Sequence, residues 1–316
     1  MCGIGGYYRI GPRTPSDTRA AVRALWLALQ DRGTHAAGLA VLGEDDGVPA
    51  IIKAGAPASH IAKVATGAAF AGHLPPRWIM LHTRHATTGS TGNNLNNHPL
   101  GADVDGPAAV CLVHNGVISN KADVLQTLNV EASRGVDSEA ALACVRAGGV
   151  AKVAELCAGS LALVWNVGAA VHFWTNGDNP LVLGCLASGG GGWLWASTRA
   201  HLDATGLAFG QVFEAEPERE YILTPAGLRR GKIYRQKTHT AAATVYWQDY
   251  GAGSLRTPGR LDYSRPKLGG PITAAEAAIL DRPKATKPKP KRHKVRKVRK
   301  VRRQRWNYDL GGWVYD

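Results

Sequence analysis

Cys2 stands directly behind the initiator methionine and leads into Gly3-Ile4-Gly5-Gly6-Tyr7-Tyr8-Arg9-Ile10. This stretch is short, glycine-rich and partly apolar, so it reads as a strand that begins at the chain terminus itself. Cysteine is small enough for the methionine before it to be removed, which would leave a free α-amine beside the thiol. A thiol of ordinary pKa, about 8.5, is only slightly ionised at neutral pH. A terminal amine titrates near ~8 and can act as an intramolecular base, so a nucleophile placed there needs no separate histidine. Taken alone, the arrangement is equally that of an incidental cysteine beside a start codon, and other segments have to decide.

Ser16 to Asp31 reads as a helix. Ser16 and Asp17 suit its cap and first turn, Val22, Leu25 and Leu29 share one face, and Gly33 lies where a C-terminal glycine belongs. Apolar runs of strand length follow at Gly38 to Gly43, Ala50 to Ala54, Trp78 to His82 and Ala109 to His114, with helices expected at Ser59 to Phe70 and Asp137 to Ala147. A second series of strands is expected at Leu161 to Val167, Val171 to Thr175, Leu181 to Leu186, Trp193 to Ala196 and Tyr221 to Leu223. Helices are interspersed among many strands without the strict alternation of a doubly wound sheet, which points to an α+β sandwich. With 316 residues, 45% of them hydrophobic, the chain can bury one large core or two ordinary ones.

Polar groups gather at the ends of these elements. His82-Thr83-Arg84-His85-Ala86-Thr87 ends a strand and runs into a Gly- and Asn-rich loop that closes on Asn97-His98-Pro99. His114-Asn115-Gly116 closes another strand, and Val136-Asp137-Ser138-Glu139 opens a helix. Strand ends and helix starts are where a scaffold presents a site. In their order, MCGI, RGxxxxG (Arg32 to Gly38), HTRxAT, NxHP, HNG and DSE, these segments resemble the class II glutamine amidotransferases. The likeness is greatest to the glutaminase domain of the glucosamine-6-phosphate synthases and less close to the amidophosphoribosyltransferases. Gly159-Ser160-Leu161-Ala162, Asn179-Pro180-Leu181 and Ala196-Ser197-Thr198 extend it over residues 2 to 235. Each motif is weak alone, and their order and spacing make the set specific.

The resemblance implies a four-layer α/β/β/α sandwich of the N-terminal-nucleophile hydrolase type. It implies a reaction in which Cys2 attacks the side-chain amide of glutamine, with its own α-amine as base, releasing glutamate and ammonia. The Asn115 side chain and the Gly116 backbone N–H would form the oxyanion hole. Arg84 would hold the substrate α-carboxylate, Asp137 would take the α-ammonium, and Thr87 would line the same pocket. Such a pair of charges around a nucleophile suits a zwitterion, since a guanidinium fork matches a carboxylate. The sequence departs from the family at His85, where the family has Trp, at Thr88, where the synthases have His, and at Arg32-Gly33-Thr34-His35, which lacks the usual Asp. No cofactor and no metal is expected: for His82, His98 and His114, loop-organising hydrogen bonds are the preferred reading.

Cys2, Cys111, Cys144, Cys157 and Cys185 are odd in number, widely spaced and without a CxxC pair, which favours neither a disulfide framework nor a zinc site. With no signal-like N-terminus and no long apolar run, a cytoplasmic setting and no membrane contact are expected. The net charge of +14 equals the 14 Lys and Arg between Arg282 and Arg305, a stretch without Asp or Glu, so the body is nearly neutral. We expect a glutaminase domain over 1–237, an extension over 238–280, and over 281–316 a disordered basic tail with an aromatic end. That tail suits nucleic acid or another polyanion, or is merely solvated. After the glutaminase domain too little chain is left to form an ammonia-consuming domain, so the expected acceptor is a separate synthetase on another chain, or glutamine hydrolysis is itself the output. The alternatives are an N-terminal-nucleophile hydrolase of another amide, and a catalytically silent scaffold with a nucleic-acid-binding tail.

Overall fold

The structure is a computed structural model and describes residues 1–11, 17–43, 48–72, 75–101, 109–187, 191–237, 304–307 and 312–315. The chain divides into two compact units, Met1–Asp249 and Tyr250–Asp316. The first unit runs β1 (Gly3–Tyr8), α1 (Thr18–Ala28), a 3₁₀ turn (Leu29–Arg32), β2 (Ala36–Leu42), β3 (Ala50–Ala54), α2 (Ala58–Ala69), β4 (Trp78–Arg84), a second 3₁₀ turn (Asn94–Asn96), β5 (Leu100–Gly101) and β6 (Cys111–Ile118). It continues with α3 (Lys121–Thr127), α4 (Ser138–Leu156), β7 (Gly159–Val167), β8 (Ala170–Thr175), β9 (Val182–Leu186), β10 (Trp193–Ala196), α5 (Arg199–Asp203), β11 (Phe209–Glu214), β12 (Arg219–Thr224) and β13 (Gly227–Ile233).

These strands form two antiparallel sheets, one in the order β11-β9-β10-β1-β4-β2-β3 and one in the order β13-β12-β8-β7-β6-β5. Side chains on a strand alternate between faces, so each sheet can serve two cores. Between the sheets, Ile4, Tyr8, Met80 and Trp195 of the first meet Val113, Val164, Phe173 and Tyr221 of the second. Phe173 stands edge-on to Trp195 with centroids 5.1 Å apart. On the outer face of the first sheet, Tyr7, Leu39, Ile79 and Leu81 pack under Val22, Leu25 and Trp26 of α1 and Ala62 and Ala65 of α2. On the outer face of the second, Leu161, Leu163 and Trp165 pack under Ala141, Cys144, Val145 and Val153 of α4. Three stacked cores make four layers, helix, sheet, sheet, helix, which is the expected α/β/β/α sandwich.

The elements read from apolar runs are present, and most extend further than the runs. β4 continues through Arg84 and β6 through Ile118, because ladder pairing does not require apolar side chains; His114-Asn115-Gly116 therefore lies inside a strand that was expected to close there. Helix α1 gives way to its 3₁₀ turn at Leu29, and α4 runs on past Ala147 across a break at Gly148 and Gly149. β5, β11, β13, α3 and α5 carry no strong period and are additions to the sequence reading. Gly33 is not a left-handed helix terminator: its φ of 176° is extended, and glycine is needed because the backbone of Arg84 would lie 2.4 Å from a Cβ there. Ser16 and most of the basic tail lie outside the described residues. In the second unit, β14 (Gln304–Asn307) and β15 (Gly312–Tyr315) pair antiparallel, with Trp306 opposite Trp313. Among the described residues no helix is long and apolar enough to cross a membrane.

Candidate active site

Strand parity decides which polar groups face one another. On β1, Ile4 and Tyr8 point between the sheets, and Cys2 continues that row; on β4, Trp78 and Met80 do so, and His82 and Arg84 follow. On β6, Cys111 and Val113 point the same way, and Asn115 comes next. β1 runs antiparallel to β4 with Gly3 opposite Thr83, which sets Cys2 beside Arg84 and His85. The half-buried thiol of Cys2 donates to the His85 carbonyl oxygen at 3.7 Å. A pocket opens there, bordered by Cys2, Arg84, Thr87, His98, Gly116 and Asp137. A second cavity of about 310 Å³, between Leu128, Arg134, Leu142 and Arg146, shares no residue with it.

The terminus is tied down by the 3₁₀ turn. Arg32 Nε donates to the Cys2 carbonyl oxygen at 2.9 Å, and Nη2 reaches Met1 Sδ at 3.5 Å. Thr83 Oγ1 donates to the Leu29 carbonyl at 2.6 Å, and His35 N–H to the Arg84 carbonyl at 3.0 Å. The Arg32-Gly33 pair thus has a structural cause, since the arginine grips the Cys2 carbonyl while the glycine lets the turn press on β4. Burial pushes the Cys2 thiol up; the N-terminal amine and Arg84 oppose the shift, and Asp137 adds to it. A thiol raised in this way requires a base before it can attack.

Arg84 is almost fully buried. Its Nη1 donates to Asn97 Oδ1 at 2.8 Å, and its Nη2 to the carbonyls of Thr88 and Gly89, the latter at 2.9 Å. The guanidinium therefore anchors the loop from His85 to Asn97 while bordering the pocket, and an incoming carboxylate would have to replace the Thr88 and Gly89 carbonyls. Thr87 lies exposed on that loop. Lys53 on β3 holds the loop's far end, its Nζ donating to the carbonyls of Asn97 at 3.0 Å and Pro99 at 3.2 Å. Burial, with Arg134 nearby, lowers this lysine to about 8.

The second sheet supplies the opposite wall. Gly116 has φ +146°, and a Cβ there would sit 1.9 Å from the Ser160 carbonyl oxygen, so this backbone position accepts glycine alone without rearrangement. Asn115 is fully buried, and its Nδ2 donates to Asn179 Oδ1 at 3.2 Å. Asp137 precedes α4 yet makes no capping bond with its side chain; Oδ2 instead accepts from Ile118 N–H at 2.7 Å, tying the end of β6 to the start of the helix. His114 Nδ1 meets Ser138 Oγ at 2.9 Å, a second tie between the same elements.

Three histidines lie buried at the floor. His82 Nε2 meets the His114 carbonyl at 3.1 Å, bridging the sheets, and its ring stacks on His98 with centroids 4.3 Å apart. Burial lowers His82 to about 3, lowers His114, and holds His98 well below the usual histidine range. Hydrogen bonds hold His82 and His114, but to a strand carbonyl and a helix-start hydroxyl, not to a loop. His98 differs: both of its ring nitrogens are buried and lack a partner among the described residues. Among those residues no three His, Cys, Asp or Glu groups gather closely enough to hold a metal.

All six residues singled out in the sequence thus lie on or next to one cavity: five border it, and Asn115 stands beside Gly116 on β6. Residues that sequence reasoning did not assign are Arg32, Lys53, Asn97 and Asn179. Arg32, Asn97 and Asn179 fell inside recognised motifs whose individual members had no distinct role; Lys53 sits mid-strand, where nothing marks it.

No family model matches the sequence, and no curated protein matches it. Among solved structures, the chain resembles glutamine phosphoribosylpyrophosphate amidotransferase from B. subtilis, complexed with ADP and GMP, with a TM-score of 0.59 and 18% identity over 73% of this chain and 49% of that one. It also resembles a structure described as the allosteric regulatory enzyme of purine biosynthesis, with a TM-score of 0.55 and 19% identity over 73% and 49%. The chain spans about half the length of these two proteins. At that identity the likeness is one of architecture: this chain has the fold of the class II, N-terminal-nucleophile glutamine amidotransferases.

Proposed function

We propose that the chain is a glutamine amidotransferase that hydrolyses the glutamine side-chain amide through a thioester on Cys2. The observation that carries this reading is the convergence of Cys2, Arg84, Gly116 and Asp137, from four separate segments, on one pocket. Once Met1 is removed, the freed α-amine takes the thiol proton, and Sγ attacks the amide carbon. The oxyanion that forms is met by the Asn115 side-chain amide and the Gly116 N–H, fixed donors of the kind that stabilise a tetrahedral intermediate. The C–N bond then breaks, the amine returns its proton to the leaving nitrogen, ammonia departs, and water hydrolyses the thioester to glutamate. Arg84 and Asp137 grip the α-carboxylate and α-ammonium.

We take residues 1–237 as the glutaminase body, 238–280 as an extension, and 281–316 as a tail suited to polyanions. We propose a separate synthetase as one acceptor of the ammonia. The test measures glutamate release from glutamine, against asparagine and γ-glutamyl amides, by protein whose intact mass lacks Met1. A diazo-ketone analogue of glutamine is expected to label Cys2. Absence of glutamate release, activity with Met1 retained, or labelling at Cys111 or Cys144 would sink the reading.

A further inference from the structure

Asn115 and Asn179 are 64 residues apart, yet their amides meet in the core, the first fully buried and the second nearly so. We propose that Asn179 is a positioning residue that fixes which end of the Asn115 amide serves the pocket; the inference rests on the glutamine-hydrolysing reading above.

The fold brings the two together by register. Asn115 on β6 stands opposite Ala162 on β7, and Ala162 stands opposite Thr175 on β8, so the three form one row across the second sheet. Ala162 in the middle of that row is small and lies in the core between the sheets. Beyond Thr175 the chain turns back, and Thr175 Oγ1 donates to the Asn179 carbonyl at 2.8 Å while accepting from Gly177 N–H at 3.0 Å. This clamps the turn and sets the Asn179 side chain against Asn115. Pro180 follows directly, with φ restricted by its ring.

The pair is incompletely satisfied. Asn115 Nδ2 donates to Asn179 Oδ1 at 3.2 Å, while Asn115 Oδ1 and Asn179 Nδ2 are buried without a partner among the described residues. Asn179 is thus the one hydrogen-bond partner of the Asn115 side-chain amide among the described residues. A carboxamide has two ends of nearly equal size, so packing alone scarcely distinguishes them. An oxyanion distinguishes them completely, since N–H stabilises it and a carbonyl oxygen repels it. Asn179 Oδ1 takes one N–H of Asn115 and thereby holds the nitrogen end in place, leaving the second N–H for the oxyanion.

The experiment compares wild type, Asn179→Leu, Asn115→Ala and the double variant in steady-state glutamate release. Loss of an oxyanion donor lowers kcat by about 10²- to 10³-fold. Loss of its orientation is expected to cost a fraction of that, about 10- to 100-fold in kcat, with KM for glutamine within about twofold. In the Asn115→Ala background, Asn179→Leu is expected to change kcat by less than about twofold, because there is nothing left to orient. Asn179→Ser, too short to reach Asn115, gives the same split if the leucine variant does not fold. A kcat for Asn179→Leu or Asn179→Ser within twofold of wild type, or an undiminished loss in the Asn115→Ala background, overturns this inference alone. Wild type that releases no glutamate overturns the glutamine reading on which it stands.

Discussion

The two walls of the pocket treat their buried polar groups differently. On the first sheet, the Arg84 guanidinium is met by Asn97 Oδ1 and the carbonyls of Thr88 and Gly89. On the second, Asn115 has one hydrogen bond and an oxygen with no partner among the described residues. The difference follows from charge. An unpaired buried ion is strongly destabilising, by roughly 3–5 kcal/mol when its partner is removed, so the loop must stand in for a ligand. A neutral amide missing one bond costs about 1–3 kcal/mol, which the packing around it can bear. The first wall therefore binds its arginine into the loop, and the second holds an amide whose acceptor oxygen is left unpartnered among the described residues.

The largest expected effect is that of Cys2→Ala, which should reduce glutamate release to background and abolish covalent labelling while leaving the melting temperature nearly unchanged. It removes chemistry shared by both walls. The next separates them. Asn115→Ala should lower kcat by about 10²- to 10³-fold, roughly 2.7–4 kcal/mol of barrier, with KM little altered. Arg84→Lys should instead raise KM strongly, because an ammonium cannot reproduce a bidentate grip. If both variants moved the same kinetic parameter, the division between the walls would be wrong.

Stability sharpens the contrast further. Arg84→Ala leaves Asn97 Oδ1 and two loop carbonyls without their donor, a loss of about 1–3 kcal/mol. For a body of this size that lowers Tm by roughly 2–4 °C per kcal/mol in thermal unfolding. Arg84→Ala should therefore melt below wild type in a differential scan, and an unchanged melting temperature would refute the loop-anchoring role.

Acid should act on the floor that joins the walls. Burial holds His82 at about 3, so the unfolded chain, with a histidine near ~6.5, takes up a proton that the folded state refuses. His98 and His114 are shifted in the same direction. Stability is then whole above about pH 6.5 and falls as pH drops toward 3, by at most about 1.4 kcal/mol per pH unit for each buried histidine. Chemical denaturation at pH 7 and pH 5 should show it; equal midpoints would contradict the neutral floor.

The smallest effect is expected from removing everything after Lys237. Lys237 N–H donates to the Ala154 carbonyl at 2.9 Å, and Gln236 bonds Asn176, and the cut keeps both of these ties. Glutamate release should stay within about twofold, and salt-sensitive binding to polyanions should disappear. A folded truncation without activity would assign the tail to the site.

Much of this architecture was legible in the chain. Apolar runs marked most strands of both sheets, the period of Val22, Leu25 and Leu29 marked α1, and the ordered motifs marked Cys2, Arg84, Thr87, Asn115, Gly116 and Asp137. Local pattern suffices there because core-facing strands must be apolar and because Arg84 and Asp137 stand at a strand end and a helix start, whereas Asn115 and Gly116 lie inside β6. What the chain could not announce was pairing. The row Asn115–Ala162–Thr175, the grip of Arg32 on the Cys2 carbonyl, and the reach of Lys53 to Asn97 and Pro99 all depend on inter-strand register or on turns folding over one another. Gly33 makes the same point: its place after a helix marked it as a C-terminal glycine, and it does follow the 3₁₀ turn, but the approach of the Arg84 backbone is what requires glycine there. Residue identity and spacing determined which polar groups the chain offers; the register of two sheets decided which of them meet.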